Sequence, residues 1–354
     1  MVNIRSAPGT AAAGARAGDQ GLNQLIQRGS LLPIISGEAL EELVLDGHDR
    51  IVASYAGRVG YPLPDAHELH KVAKYQSLTS GWKDHQLKQD YLDLVAEHVY
   101  RLASQDGGKA GPLEDAMAEA GNLTVSQFAG RLGYPALDRG HEDPLLILAD
   151  LPLPIYLTTS PFTFIEQALG RAGKAPRSEL CRWHSGLDNI PSVFAGPGLA
   201  ENEAECEHNR SGGVYRPCKH KPLVYHLYGL DAHPDSLLLT EDDYLTFLMA
   251  ASQGRGKDLG VDPIHDVVKG ALQSSALLLL GFGLATWSFR ALYWGLIKPS
   301  PDARLYERYC CVQLISSEQE KLYLESYLRQ DAHFDKVYWE PIATFCLREL
   351  EVAR

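Results

Sequence analysis

Short and nearly continuous apolar runs, each followed by a turn and usually by a helical pattern, constrain this chain most strongly. A strand that is apolar on both faces must be buried on both faces, which is typical of a parallel sheet covered by helices. Because the runs alternate with helical segments, we expect a doubly wound α/β fold. The predicted strands are residues 31–35, 154–159, 223–227, 237–240, 276–283, 309–315 and 336–339.

The segments between these runs predict how the chain is divided. Residues 1–21 are rich in Ala and Gly, and we interpret them as a flexible leader before one domain of residues 22–354. Residues of about 40–145 carry helical patterns without clear strands, and those of about 188–221 predict a long loop or small module. We therefore predict a Rossmann-like, mainly parallel sheet with a helical insertion after the first strand.

The charge of the chain argues against two classes of partner. Its formal net charge of −12 repels the phosphates of nucleic acids and anionic lipid headgroups, and no run of Lys or Arg supplies a basic patch. The apolar stretch 274–297 contains Arg290, and a central arginine costs about 2.5–3.5 kcal/mol on membrane-insertion scales. We expect a cytoplasmic protein without nucleic-acid or membrane partners.

Four segments at predicted strand ends carry the candidate ligand contacts, because open α/β sheets bind ligands there. They are residues 32–39 (LPIISGEA), 155–162 (IYLTTSPF), 224–229 (VYHLYG) with 237–244 (LLLTEDDY), and 279–290 (LLGFGLATWSFR). In this order the segments resemble the bacterial sirtuin-like family, in the branch found in anti-phage defence proteins. The LTEDDY and GFGLxxWxFR segments are the most specific, and the resemblance runs from about residue 22 to residue 349.

The resemblance implies a site for NAD or for an ADP-ribose fragment. Active members of the family cleave the bond between nicotinamide and ribose, either to hydrolyse NAD or to deacylate lysine. The cofactor-binding positions implied by the resemblance are Ser36, Gly37, Glu38, Thr158, Thr159, Gly281 and Gly283. The positions implied for the reaction are Ser160, His226 and Tyr228.

Several of these positions depart from the family pattern. Glu38 stands in place of a glycine in the first turn, Ser160 in place of an asparagine, Gly283 in place of a serine and Thr286 in place of an aspartate. Two unit charges about 4 Å apart at an effective dielectric of about 20 repel by roughly 4 kcal/mol, so Glu38 would oppose a phosphate. Alternatively, Glu38 begins the following helix and points away.

The position of the family's catalytic histidine is occupied by Tyr228. A phenol is a poor base at neutral pH, and loss of a general base typically costs about 10²–10⁴-fold in rate. His226 lies on the same face of the strand and would replace it only if the strand shifted. We expect a pseudoenzyme that binds, regulates or supports other subunits or copies of itself; the alternative is an NAD hydrolase with a rearranged site at Ser160, His226 and Tyr228.

Two Cys-x-His units in the polar segment raise a third possibility, a zinc-stabilised interaction module. Zinc takes tetrahedral Cys and His ligands, and the candidates are Cys206, His208, Cys218 and His220. The alternative is that these are ordinary exposed thiols. The acidic residues 241–243 also resemble paired carboxylates, but Thr240 before them favours the start of a helix.

Overall fold

The computed structural model describes residues 15–106, 110–195, 215–253, 262–283, 286–298, 311–313, 318–328, 334 and 336–351. Its strands are β1 Leu31–Ile35, β2 Ile155–Thr158, β3 Arg177–Leu180, β4 Leu223–His226, β5 Ala276–Leu280, β6 Cys311–Gln313 and β7 Lys336–Tyr338. They form one sheet in the order β3-β4-β2-β1-β5-β6-β7, and every neighbouring pair is parallel. The predicted Rossmann-like, parallel α/β fold is confirmed.

Helices surround this sheet. They are α1 Ala15–Gln27, α2 Gly37–Val44, α3 His48–Val59, α4 Leu69–Ser80, α5 Asp84–Gln105, α6 Ala110–Glu119, α7 Val125–Arg131, α8 Pro144–Asp150, α9 Phe164–Arg171, α10 Glu241–Gln253, α11 Asp266–Ser274, α12 Trp287–Leu292, α13 Glu318–Ser326 and α14 Ile342–Phe345. The described chain places α2 to α8 between β1 and β2, which is the expected helical insertion. None of the helices in this part of the chain combines the length and apolar character that a membrane span requires.

The central strand shows why the apolar runs predict this fold. Leu31 and Ile35 of β1 belong to one apolar core, whereas Leu32 and Ile34 belong to a second core on the other face of the sheet. All four side chains are buried. Successive side chains of a strand point to opposite faces, so a strand between two helical layers must be apolar throughout.

The strand predicted at residues 237–240 is wrong. Its three leucines are buried, but the backbone N–H groups of Leu239 and Thr240 donate to the carboxylate of Asp243 at 3.0 and 2.8 Å instead of joining the sheet. This segment caps the start of α10, as favoured for the acidic residues 241–243. An apolar run alone does not distinguish a strand from a buried helix entry.

The strand β3 was not predicted, because its sequence Arg-Ser-Glu-Leu is polar. It lies at the edge of the sheet and pairs only with β4. The Glu179 side chain is nevertheless buried, and it accepts hydrogen bonds from Arg182 at 2.7 Å and from the hydroxyl of Ser192 at 2.6 Å. A buried carboxylate with such partners is tolerated where an unpaired one would not be.

The chain also differs from expectation at its start. The helix α1 begins at Ala15, inside the segment 1–21 expected to be a flexible leader, and residues 1–14 lie outside the described part. Leu22 and Ile26 of this helix are buried in the same core as β1. Burial of an amphipathic face stabilises such a helix more than its composition predicts.

A buried charge joins the helical insertion to the sheet domain. Lys88 on α5 has no exposed side-chain surface, and its ammonium group lies 2.8 Å from Asp84 and 3.3 Å from Asp243. Asp243 belongs to the LTEDDY segment at the start of α10. The contact therefore couples α5 to a segment about 150 residues later in the chain.

Candidate functional site

The turn after β1 forms the first edge of the candidate site. Ser36 caps α2: its hydroxyl accepts a hydrogen bond from the N–H of Ala39 at 3.0 Å and donates to the carbonyl of Gly281 at 2.8 Å. The N–H of Gly37 donates to the hydroxyl of Thr159 at 2.8 Å. Two of the amide groups that a helix N-terminus can offer to an anion are thus already bonded within the protein.

The end of β2 supplies a second edge. The Thr158 hydroxyl donates to the carbonyl of Ile35 and accepts from the N–H of Ser160, both at 3.0 Å. Ser160 is fully buried, and its hydroxyl accepts from the N–H of Phe162 at 3.2 Å. The Thr158 hydroxyl therefore joins the end of β2 to the end of β1, whereas the Ser160 hydroxyl is bonded within its own turn.

The end of β5 is shaped by a glycine. Gly281 has φ +78°, and a Cβ there would lie 2.3 Å from the Cβ of Ala39. The missing side chain lets the first turn of α2 approach β5 closely. Gly283 follows, and Thr286 caps α12 by accepting from the N–H of Phe289 at 3.2 Å.

Tyr228, the residue predicted to stand at the catalytic position, is held in the core by a hydrogen bond and by ring packing. Its hydroxyl donates to the carbonyl of Ser288, and its ring packs edge-on against Tyr244 and Phe247, with centroids 5.4 and 5.1 Å away. Burial raises the pKa of the phenol well above its usual 10. A neutral phenol whose proton is already donated cannot act as a base at neutral pH.

The imidazole of His226 is also hydrogen-bonded within the protein. The imidazole is fully buried, with Nδ1 2.8 Å from the carbonyl oxygen of Ser160 and Nε2 2.7 Å from a carboxylate oxygen of Glu166. Burial disfavours the charged ring, but the Glu166 carboxylate outweighs it and raises the pKa of His226 above 6.5. Nδ1 faces a carbonyl oxygen and therefore donates, while Nε2 is paired with the Glu166 carboxyl, so both nitrogens are occupied within the protein.

A large cavity lies where a parallel sheet is expected to bind a ligand. The chain leaves the neighbouring strands β1 and β5 in opposite directions, toward β2 and β6. Beyond these strand ends is a cavity of about 1100 Å³, lined by Glu38, Gly281 and Gly283 among other residues. We call it the switch-point cavity. Ligand pockets typically measure roughly 300–1,000 Å³, so this one has room for a dinucleotide.

A smaller cavity of about 60 Å³ lies beside it. Gly37, Thr159 and Tyr228 line this space, and Glu38 lines both cavities. Its volume suffices for a few water molecules but not for a nucleotide. Tyr228 therefore lines the smaller cavity and not the one in which a ligand of nucleotide size could lie.

The switch-point cavity is lined mainly by acidic charge. The carboxylate residues among its described lining are Glu38, Glu42, Asp49, Glu68, Asp138, Asp143 and Glu340, whereas the Lys and Arg residues are Lys321 and Arg139. Such a lining opposes the entry of anions, although salt screens the exposed members of the set.

Glu38 is the charged group at the junction of the two cavities. One of its carboxylate oxygens, Oε2, is buried without a hydrogen-bond partner. Burial raises the pKa of Glu38 from 4.5 to about 7, against the opposing attraction of His48. Burial also opposes the charge of His48, but the Glu41 carboxylate 2.6 Å away outweighs it and raises the pKa of His48 from 6.5 to about 9.

These two shifts predict how stability depends on pH. Both folded-state pKa values are raised, so the contribution of Glu38 is complete below pH 4.5 and is lost as the pH rises through about 7. That of His48 is complete below pH 6.5 and is lost as the pH rises through about 9. We expect Glu38→Gln to match wild type at about pH 4 but to exceed its free energy of unfolding by about 1–3 kcal/mol at about pH 8, measured by urea denaturation. If wild type and Glu38→Gln were equally stable at both pH values, the raised pKa of the Glu38 carboxyl would be contradicted.

The four candidate zinc ligands are not brought together by the described residues. Cys206 and His208 lie outside them, and no metal-binding group of three or more His, Cys, Asp or Glu side chains occurs within the described part of the chain. Cys218 is disulfide-bonded in this structure. Because zinc binds the thiolate form of cysteine, a site with Cys218 and His220 would require the reduced chain.

The structure distributes the predicted site residues over three environments. The switch-point cavity is lined by Glu38, Gly281 and Gly283, and the smaller cavity by Gly37, Glu38, Thr159 and Tyr228. Ser36, Thr158, Ser160 and His226 are buried in the framework behind them.

Sequence reasoning missed the contribution of the helical insertion and of the chain after β7. His48 of α3 and His70 of α4 line the switch-point cavity, as do Trp339 and Glu340. The cluster His67-Glu68-Leu69-His70 offered a composition signal for the insertion. The pairing of His48 with Glu41, seven residues earlier, has no sequence signature.

Comparison with known proteins assigns the chain to a family. A family model for the SIR2-like domain matches residues 154–330, which is half of the chain and runs from β2 to beyond α13. No curated protein matches the chain. The turn after β1 and the helical insertion lie before the matched range, whereas the strand ends of β2, β4 and β5 lie within it. The chain belongs to the SIR2-like family.

Proposed function

We propose that this SIR2-like chain is a non-catalytic protein whose switch-point cavity holds an NAD-type ligand, either NAD or an ADP-ribose fragment. Family membership supports an NAD-related role. The observation that carries the proposal is that the reactive groups of Ser160, His226 and Tyr228 are all engaged in hydrogen bonds within the framework. The cavity at the strand ends supplies space for the ligand, but these three residues do not line it.

The resemblance also suggests a cellular role and a class of partner for this protein. We propose that it serves as a binding or regulatory subunit in the cytoplasm, working with other subunits or with further copies of itself in anti-phage defence. The LTEDDY and GFGLxxWxFR segments support this part through their resemblance to that branch of the family. Light scattering during size-exclusion chromatography tests self-association, and a monomer at all concentrations would leave only other subunits as partners.

Calorimetric titration with NAD tests the ligand site. Ala136 is an exposed residue in the wall of the switch-point cavity, and Ala136→Trp would fill part of that space. Ala53 is exposed on α3 outside the cavity lining, so Ala53→Trp is the matched control. We expect NAD binding to weaken by about tenfold or more, or about 1.4 kcal/mol, in Ala136→Trp and to be unchanged in Ala53→Trp. Absence of binding to wild type, or equal binding to both variants, would contradict the site.

A second candidate function is an NAD hydrolase with a rearranged site. It is favoured by one observation: the Glu38 carboxyl lines both cavities and has a pKa of about 7, which suits proton transfer near neutral pH. In this function Glu38 would replace the locked His226 and Tyr228. Nicotinamide release by wild type that falls at least about 10²-fold in Glu38→Ala would favour it over the non-catalytic function.

A further inference from the structure

Glu38 occupies the place where an incoming ligand would meet the first turn of α2. It follows the capping residue Ser36 by two positions, and it lines the switch-point cavity together with Gly281 and Gly283 of the neighbouring turn. Its Oε2 atom is buried and has no hydrogen-bond partner. A buried carboxylate oxygen without a donor is unfavourable for folding, and the attraction of His48 offsets this only in part, because the pKa of Glu38 is still raised.

Two amide groups of the same turn are not available to bind an anion. The N–H of Gly37 donates to Thr159, and the N–H of Ala39 donates to Ser36. A phosphate placed at this helix end would therefore meet the charge of Glu38 while these two amide groups are already bonded. A hydroxyl group of a sugar, in contrast, can donate to a carboxylate oxygen.

We infer that Glu38 is the specificity-determining residue of the switch-point cavity. Its carboxylate weakens the binding of the pyrophosphate of an NAD-type ligand, so that the nucleoside part contributes most of the affinity. This inference rests on the proposed function, because it concerns the ligand class of the same cavity. An unscreened charge about 4 Å from a phosphate would weaken binding by up to about three decades. Partial solvent exposure reduces the expected discrimination to about 10–100-fold.

Other titratable groups surround Glu38, and their titrations must be distinguished from that of Glu38. They are Glu41 on α2, His48 and Asp49 on α3, Glu68 and His70 at α4, Tyr228 after β4 and Tyr244 on α10. His48 has a pKa of about 9 and keeps its charge while Glu38 titrates near 7. Burial raises the pKa of both tyrosines above the usual 10 and lowers that of His70 below its usual 6.5.

Adenosine and ADP-ribose are the probes, since they share the adenosine moiety and differ in the pyrophosphate and second ribose. Their dissociation constants are measured by calorimetry for wild type, Glu38→Gln and Glu42→Gln. Glu42 lines the same cavity from the next turn of α2 but is exposed, so its substitution is the matched charge change. Thermal unfolding of each variant verifies that it is folded.

We expect Glu38→Gln to bind ADP-ribose about 10–100-fold more tightly than wild type at about pH 8, with little change for adenosine. Glu42→Gln should change either constant by less than about threefold. For wild type, ADP-ribose affinity should rise as the pH falls through about 7, and Glu38→Gln should lack this rise. A residue with only a structural role would not shift the pH profile.

Two results would count against the inference, and they differ from each other. Wild type that binds ADP-ribose more tightly than adenosine, with both variants unchanged, would overturn the role of Glu38 and leave the nucleotide site standing. Absence of binding for both probes, in all three folded proteins, would overturn the proposed function and the inference with it.

Discussion

Replacing Asp243 by alanine is expected to lower the free energy of unfolding by about 3–5 kcal/mol. Asp243 accepts hydrogen bonds from the backbone N–H groups of Leu239 and Thr240 and lies 3.3 Å from the ammonium group of Lys88. Lys88 has no exposed side-chain surface. Removal of this carboxylate leaves a buried cation whose other partners include the exposed carboxylate of Asp84 and the carbonyl oxygen of Asp235 at 3.4 Å. Two buried amide groups also lose their acceptor, and each costs about 1–3 kcal/mol.

Asp242 provides the matched control for this substitution. It is the preceding residue of α10, its side chain is 68% exposed, and it pairs with Lys74 at the surface. Exposed ion pairs contribute about 0–1 kcal/mol, so Asp242→Ala should have little effect. Urea denaturation of both variants measures the difference. Similar small losses for the two would show that Lys88 and Asp243 do not hold the insertion to α10.

Replacing Gly281 by alanine is expected to lower the free energy of unfolding by roughly 2–5 kcal/mol. The residue has φ +78°, a left-handed conformation that is strained for a side-chain-bearing residue. The new Cβ would lie 2.3 Å from the Cβ of Ala39 and 2.9 Å from the Ser36 hydroxyl. The first turn of α2 would have to move away from β5, which would also disturb the wall of the switch-point cavity.

Gly270 on α11 is the control for a glycine-to-alanine change. It is exposed, and nothing lies within 4 Å of the position of its Cβ. Alanine is the better helix former by about 0.5–1 kcal/mol, so Gly270→Ala should stabilise the protein slightly. Thermal and urea unfolding measure both variants. A neutral Gly281→Ala would mean that α2 and β5 are not packed as closely as described.

The sheet could be predicted from sequence because its central strands are apolar on both faces. Strands β1 and β5 pair over their full length and are buried at every position, so each reads as an unbroken apolar run. The edge strand β3 could not be predicted in this way because it is not apolar. Its buried Glu179 is stabilised by Arg182 and Ser192, which only the folded chain brings near. The apolar run at residues 237–240 was wrongly predicted as a strand. Its amide groups donate to Asp243 in a helix cap instead of pairing with a strand.

The candidate site was predictable in its residue types but not in its contacts. The phenol at position 228 indicates a poor base from sequence alone. Its contacts are not indicated by sequence. The Tyr228 hydroxyl bonds to Ser288 and His226 pairs with Glu166 because elements about 60 residues apart pack together. The raised pKa of Glu38 likewise arises from burial, which sequence does not report.

Nicotinamide release is the most direct measurement of whether this SIR2-like chain is catalytic. Purified wild-type protein is incubated with NAD at neutral pH, and the mixture is separated by chromatography. We predict that NAD is recovered intact, because the Tyr228 hydroxyl and both nitrogens of His226 are already bonded within the framework. Nicotinamide release above the protein-free rate, abolished by Glu38→Ala or His226→Ala in a folded protein, would contradict the non-catalytic function.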